Sequence, residues 1–92
     1  MMITNKPVYG QANVGVTAVQ LNSTASIQVR GTTIVSFATN SGVIYIGDDS
    51  SVSTTTGFPL TAGQVVPWPT NNIASIWIIS DTASQKVGYV GA

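Results

Sequence analysis

The sequence predicts an all-β fold: a single small antiparallel β-sandwich or barrel, jelly-roll-like, preceded by an extended N-terminal arm. Apolar residues alternate over short segments, and Gly, Asn and Ser separate those segments at short intervals. Thr and other β-branched residues are frequent throughout, which favours strands over helices. A chain of 92 residues suits one domain with one core. We therefore assign residues 1–10 to the arm and residues 11–92 to the β domain.

The start of the chain is predicted to be an arm because Pro7 lacks a backbone donor and Gly10 allows a swivel before the first periodic segment. It also lacks the basic start and apolar centre of a signal peptide. Two interpretations are open: a frayed terminus, or an arm that docks on a neighbouring subunit or a larger partner. The second makes Ile3, Val8 and Tyr9 candidate partner-binding residues, since these side chains are costly to leave in water.

Strands are predicted over residues 13–21, 25–30, 32–39, 43–47, 73–80 and 85–90, with a further strand that starts at Gln64. Segment 43–47 carries apolar side chains on both faces and is predicted to pack on two sides. It leads into a polar loop, residues 48–57, after which residues 58–60 anchor the chain again. Gly63 is predicted to take a positive φ in the turn before the next strand.

Two tryptophans are further candidates for partner contacts. Trp68 lies between Pro67 and Pro69, and because prolines are confined to edge strands or bulges, the sequence predicts Trp68 at the rim of a sheet. Trp77 lies in the apolar run 76–79, which is typical of a buried core strand or of a face that packs on symmetry mates. We take both tryptophans as candidate partner-binding residues.

Charge excludes several classes of partner. Charged residues make up 7% of the chain, against about 25% in a typical soluble domain. Lys6, Arg30 and Lys86 are scattered, so there is no basic stripe of the kind that nucleic-acid binding requires. The charge-free run 50–80 holds too many polar residues to span a bilayer. A net charge of zero leaves little repulsion between copies, so we expect a homo-oligomer.

The residue types also limit the chemistry. The chain has no His, Cys or Glu, so the usual triads, paired glutamates and His-ligated metal sites cannot form within one chain, and we expect neither an enzyme nor a cofactor. Residues 48–51 (DDSS) offer oxygen ligands for Ca²⁺, but their spacing does not match a calcium loop, and we favour a turn capped by these side chains. Trp68 suits a sugar-stacking platform or an interface aromatic, and we favour the second.

Four segments in a fixed order carry a resemblance to a known family: residues 43–47 (VIYIG), 54–63 (TTTGFPLTAG), 76–79 (IWII) and 85–87 (QKV). This order resembles that of small tailed-bacteriophage virion proteins, whose fold is shared by capsid decoration, head-fibre and tail-associated proteins. The resemblance extends over residues 14–90 and is carried mainly by Gly, Pro and apolar positions. It therefore indicates a fold and a setting rather than a chemical activity.

The resemblance implies a structural virion protein, in the first place a capsid decoration or cement protein, made in the host cytoplasm and placed on the capsid surface. Its partner would be the major capsid protein, bound at capsomer junctions by a homotrimer that stabilises the shell. One alternative is a receptor- or carbohydrate-binding module at a fibre or tail tip, with Trp68, Tyr9 or Tyr45 beside Asn71 and Asn72. The other is a neck or tail component.

Overall fold

The computed structural model describes residues 8–23, 29–70 and 72–91, and in these residues the predicted all-β fold is confirmed. The strands are β1 (Val8–Val14), β2 (Val19–Gln20), β3 (Thr32–Ser36), β4 (Ile44–Gly47), β5 (Phe58–Leu60), β6 (Val65–Trp68), β7 (Trp77–Ser80) and β8 (Gln85–Gly91). They form two four-stranded antiparallel sheets. Sheet I has the order β1-β8-β3-β6, and sheet II has the order β2-β7-β4-β5.

The strand order is that of a jelly roll. The pairs β1–β8, β2–β7, β3–β6 and β4–β5 nest about the connection between β4 and β5, as in one long hairpin folded over on itself. Within sheet I, the pairing of β3 with β8 joins the pairs β1–β8 and β3–β6. Within sheet II, the pairing of β4 with β7 joins the pairs β2–β7 and β4–β5. Such a double sheet of eight strands is the jelly-roll architecture. Within the described residues the two sheets do not close into a barrel, so the sandwich is the correct alternative.

The core lies between the two sheets and is built by strand alternation. In β4, for example, Ile44 and Ile46 are buried while Tyr45 and Gly47 are only half-buried. The buried cluster consists of Val14, Leu21, Ile34, Ile44, Ile46, Leu60, Ile73, Ile76, Ile78 and Val87. Inward-facing residues of both sheets therefore form one layer, as expected for a sandwich.

The polar loop of residues 48–57 folds back over the outer face of sheet II. Val52 is only 7% exposed, and it fits a slot made by two glycines. A Cβ on Gly47 would lie 2.6 Å from Val52 Cγ2, and a Cβ on Gly57 would lie 2.9 Å from the same atom. Half-buried Tyr45 lies beside Gly57 in this slot. The second face of β4 is thus covered by the loop rather than by another sheet.

The expected first strand and the arm boundary are wrong. The first strand is β1, Val8–Val14, and residues 13–21 include only its end and the short β2. Residues 8–10 therefore belong to the β domain, while the rest of the expected arm, residues 1–7, lies outside the described residues. Gly10 lies within β1, and a Cβ there would come 2.9 Å from the Tyr89 hydroxyl. The absence of a side chain at Gly10 makes room for Tyr89, and the predicted swivel at this position is wrong.

The segment predicted as the strongest strand, residues 73–80, begins with a 3-10 turn over Ile73–Ser75. Asn72 caps this turn, since its Oδ1 accepts a hydrogen bond from the Ala74 N–H at 3.0 Å. Ile73 and Ile76 are both fully buried, so the turn still places apolar side chains in the core. In the expected strand 25–30, residues 25–28 lie outside the described residues, and Val29 and Arg30 are not in a strand.

Candidate interaction surface

The outer face of sheet I is exposed, and its apolar side chains lie beside polar ones, Gln11, Asn13, Thr33 and Lys86. Register places Tyr9 opposite Val90, Val90 opposite Thr33, and Thr33 opposite Pro67, so one row crosses all four strands. Tyr9 is 76% exposed, Val65 59% and Val90 44%. We call the apolar part of this surface the sheet I face and define it by Tyr9, Val35, Phe37, Val65, Pro67 and Val90.

Gly88 lies at the centre of the sheet I face. A Cβ on Gly88 would lie 3.2 Å from Val35 Cγ1 and 3.4 Å from Phe37 Cε1, so both side chains lie over this glycine. Lys86 is the one charged residue in the four strands of sheet I. Exposed apolar side chains grouped on one sheet face make this surface a candidate for contact with another molecule.

The two sheets differ in whether other described residues of the chain pack on their outer faces. On sheet II, the loop of residues 48–57 buries Val52 against Gly47. On sheet I, the side chains of Tyr9, Val65 and Val90 remain exposed within the described chain. Moving an apolar side chain out of water lowers the free energy. The sheet I face is therefore a better candidate for binding a partner than the outer face of sheet II.

The predicted partner-binding residues do not form one cluster. Tyr9 lies on the sheet I face, as part of edge strand β1. Val8 faces inward and packs against the core, as does Trp68 at the opposite edge. Trp77 is half-buried in sheet II, opposite Gly47. Ile3 lies outside the described residues.

The predicted edge position of Trp68 is confirmed, since β6 is the last strand of sheet I. Its neighbour is Phe58, which sequence reasoning took only as an anchor for the chain. The two rings meet edge to face, with centroids 6.1 Å apart. They border a groove of ≈ 680 Å³ that Asp48 and Thr56 also line. Phe58 is 49% exposed in this groove.

The concave patch expected for sugar binding is not assembled as predicted. Tyr9 lies at the β1 edge, whereas Trp68 lies at the far edge of the same sheet. Tyr45 lies beside Gly57 under the loop. The Asn72 side chain caps the 3-10 turn, and Asn71 lies outside the described residues. The groove between Phe58 and Trp68 is therefore the aromatic site that the structure provides.

The acidic turn is confirmed as a capped turn. Asp49 Oδ1 accepts a hydrogen bond from the Ser51 N–H at 2.8 Å and another from the Ser51 hydroxyl. The side-chain bond, followed by the backbone bond, holds the pKa of Asp49 below its usual value. Among residues 8–23, 29–70 and 72–91, no three metal-binding side chains of the His, Cys, Asp or Glu type come together.

Within the described residues the chain is a jelly-roll β-sandwich in which a loop packs on the outer face of sheet II and the sheet I face stays exposed. No family model matches the chain, and comparisons with curated proteins and with solved structures also gave no match. In the part of the chain that the structure describes, no helix has the length and apolarity needed to cross a membrane.

Proposed function

We propose that the chain is a structural protein of a bacteriophage virion, namely a capsid decoration protein that binds the shell through the sheet I face. The observation that carries the proposal is the uncovered apolar surface around Tyr9, Val65 and Val90. Burying such side chains contributes roughly 25 cal/mol per Å² of apolar area. Contact through a preformed sheet needs no catalytic group, and it orders little of the chain on binding.

The phage setting rests on the sequence resemblance, and the fold is compatible with it. Jelly rolls occur in viral capsid domains and in lectins, but a fold alone does not fix a function. The low charge of sheet I, with Lys86 as its one charged strand residue, suits a partner surface that is also apolar. The major capsid protein is the partner that we propose.

Decoration would stabilise the shell by mass action. A protein that binds the assembled shell and not its separated subunits shifts the equilibrium toward the shell, and more copies bound give a larger shift. Linked binding by several copies of the chain would increase the avidity. The homotrimer that the resemblance implies stays a prediction, and it competes with the two-fold dimer proposed below; the native mass of the chain decides between them.

The test mixes the purified chain with shells of the encoding phage from which this protein has been stripped. We expect saturable co-sedimentation at many copies per shell, and a higher temperature of shell disruption when the sites are full. Binding at only a few copies per particle would move the assignment to the neck or tail. Another minor protein of the same virion serves as the positive control for the stripped shells. If that protein bound and this chain did not, the proposal would be contradicted.

The second candidate function is saccharide binding in the groove between Phe58 and Trp68. Exposed aromatic rings stack on sugar faces, and the carboxylate of Asp48 and the hydroxyl of Thr56 line the same groove as possible partners for sugar hydroxyls. A glycan array probed with the intact protein tests it. We expect a signal that Phe58→Ala and Asp48→Ala both remove and that Val65→Ala retains; an array without signal would count against this candidate.

A further inference from the structure

The four free edges of the two sheets are protected to different degrees. Edge strand β2 has two residues, β5 contains Pro59, and β6 contains Pro67. Short strands and prolines are the usual means by which proteins prevent pairing at a sheet edge. Edge strand β1 has seven residues, VYGQANV, without a proline or a charge. Among the described residues, β1 is the edge strand that lacks these protections.

The hydrogen-bond pattern shows which groups of β1 point outward. The Phe37 N–H donates to the Lys86 carbonyl at 3.2 Å, so Lys86 directs its carbonyl toward β3. Backbone groups alternate in direction along an antiparallel strand, so Val87 and Tyr89 direct theirs toward β1. Their partners there are Ala12 and Gly10. The N–H and C=O groups of the remaining residues, Tyr9, Gln11 and Asn13, therefore point to the free edge.

The same side of the sandwich exposes apolar side chains. β1 and β2 are consecutive edge strands, one in each sheet. Val19 on β2 is 36% exposed, and Val16 in the connection between the two strands is 63% exposed. On the opposite side, Phe58 and Trp68 close the space between β5 and β6 within one copy of the chain. The side bounded by β1 and β2 has no such aromatic pair among the described residues.

We propose that two copies of the chain pair antiparallel through β1 about a two-fold axis at Gln11, and that sheet I thereby becomes continuous across the dimer. Gln11 faces Gln11 of the second copy, and Tyr9 faces Asn13 of the second copy. All of these residues direct backbone groups outward, so each such pair exchanges both of its N–H···O bonds. The interface is isologous, since each copy contributes the same strand.

A second copy is the occupant that the charges favour. β1 carries no charge that would repel an identical strand, and the whole chain has a net charge of zero. The pairing does not depend on which partner the sheet I face binds, so it can fail or hold independently of the proposed function.

The first test is the native mass of matched proline variants over a range of protein concentrations. Gln11→Pro removes an outward N–H and costs no bond to β8, so we expect it to fold and to raise the dimer dissociation constant at least about tenfold. The control is Ala62→Pro. Gly63 has φ 81, and the Gln64 N–H donates to the Thr61 carbonyl, a turn that accepts proline at position 62. This variant retains the dimer.

Circular dichroism establishes that Gln11→Pro is folded. If it is not, Gln11→Lys replaces it, because this variant keeps the backbone donor and places two like charges opposite each other across the axis. We expect it to be monomeric at concentrations where the unaltered chain is dimeric. A native mass unchanged by a folded Gln11 variant overturns the proposal. A monomer at all concentrations, or a trimer, overturns it as well.

The second test is cross-linking, which also fixes the register. The chain has no cysteine, so Gln11→Cys introduces a single thiol. Residues of a hydrogen-bonded antiparallel pair have Cα atoms about 5.5 Å apart, a distance that a disulfide spans. We expect Gln11→Cys to oxidise to a covalent dimer much faster than Thr54→Cys, which lies in the exposed loop. Equal rates for the two variants would overturn the two-fold register.

Discussion

Phe58 and Trp68 meet edge to face, with ring centroids 6.1 Å apart and ring planes inclined at 67°. Phe58 belongs to the edge strand of sheet II, and Trp68 belongs to the edge strand of sheet I. The pair therefore ties the two sheets together on one side of the sandwich. It also forms the wall of the groove that contains Asp48.

A double-mutant cycle should detect the coupling between these two rings. Aromatic pairs contribute about 0.5–1.5 kcal/mol beyond their buried area, so we expect a coupling free energy in that range between Phe58→Leu and Trp68→Leu. Urea unfolding of the four proteins provides the measurement. A cycle of Phe58→Leu with Val90→Ala, at distant positions, should give no more than about 0.5 kcal/mol. Equal coupling in both cycles would contradict a specific ring contact.

Gly47→Ala should destabilise the fold through the loop above it. The new Cβ would lie 2.6 Å from Val52 Cγ2, and overpacking of this kind costs about 1–3 kcal/mol. Adding Val52→Ala should recover part of the loss in urea unfolding. Gly31→Ala is the control, since nothing lies within 4 Å of a Cβ there. If Gly31→Ala cost as much as Gly47→Ala, the packing of Val52 would not be the cause.

Gln85 should be required for stability because its buried amide connects three backbone groups. Its Oε1 accepts from the N–H of Ser41 at 2.8 Å and of Gly42 at 2.9 Å, and its Nε2 donates to the Ala83 carbonyl at 2.9 Å. Gln85→Ala leaves these groups without that partner, and we expect a loss of at least about 2 kcal/mol in unfolding free energy.

The control for Gln85 is Gln64, an exposed side chain whose Oε1 accepts only the Thr61 N–H in the described structure, at 2.8 Å. Gln64→Ala should cost less than about 1 kcal/mol, because the freed donor reaches water. If Gln64→Ala and Gln85→Ala lowered the unfolding free energy equally, burial of the Gln85 hydrogen bonds would not account for the effect.

Ser51→Ala should raise the pKa of Asp49 toward its usual value, because the variant removes the largest cause of the lowered pKa. The folded pKa of Asp49 lies below the unfolded one. Its contribution to stability is therefore present above the ordinary carboxyl pKa and is lost as the pH falls through the lowered pKa. NMR titration of the Asp49 carboxyl carbon measures the shift. Ser50→Ala, one position away, should leave it unchanged; a pKa insensitive to Ser51→Ala would contradict the assigned bond.

Several features of the fold could be predicted because local sequence determines them. The alternation of residues 85–90 predicted β8 to within one residue. Pro67 and Pro69 predicted that Trp68 lies at a sheet edge, because a proline cannot donate to a neighbouring strand. Gly63 takes the expected positive φ of 81. Each of these conclusions requires only the chemistry of a few residues that are adjacent in the sequence.

The features that sequence reasoning missed depend on contacts between distant residues. Gly10 suggested a break in the chain, and only the position of Tyr89 shows why a strand needs glycine there. Ile73 and Ile76 fit an apolar strand, yet the cap from Asn72 selects a 3-10 turn. Phe58 and Trp68 are ten positions apart in the chain, and the groove between them appears only when β5 and β6 are placed in opposite sheets. The exposed sheet I face likewise requires the register of β1, β8, β3 and β6.

If the protein acts by contact through the sheet I face, a charge placed on that face should weaken its binding to the shell, and the shell affinity of matched charge variants measures this effect. Val65→Asp and Val90→Asp each place a carboxylate on this face, and Thr54→Asp places one on the loop over sheet II. We predict that the first two weaken binding to stripped shells at least about tenfold, since an unpaired charge is costly to bury, while Thr54→Asp binds as the unaltered chain does. Equal affinity for all three variants, or a loss confined to Thr54→Asp, would contradict binding through the sheet I face.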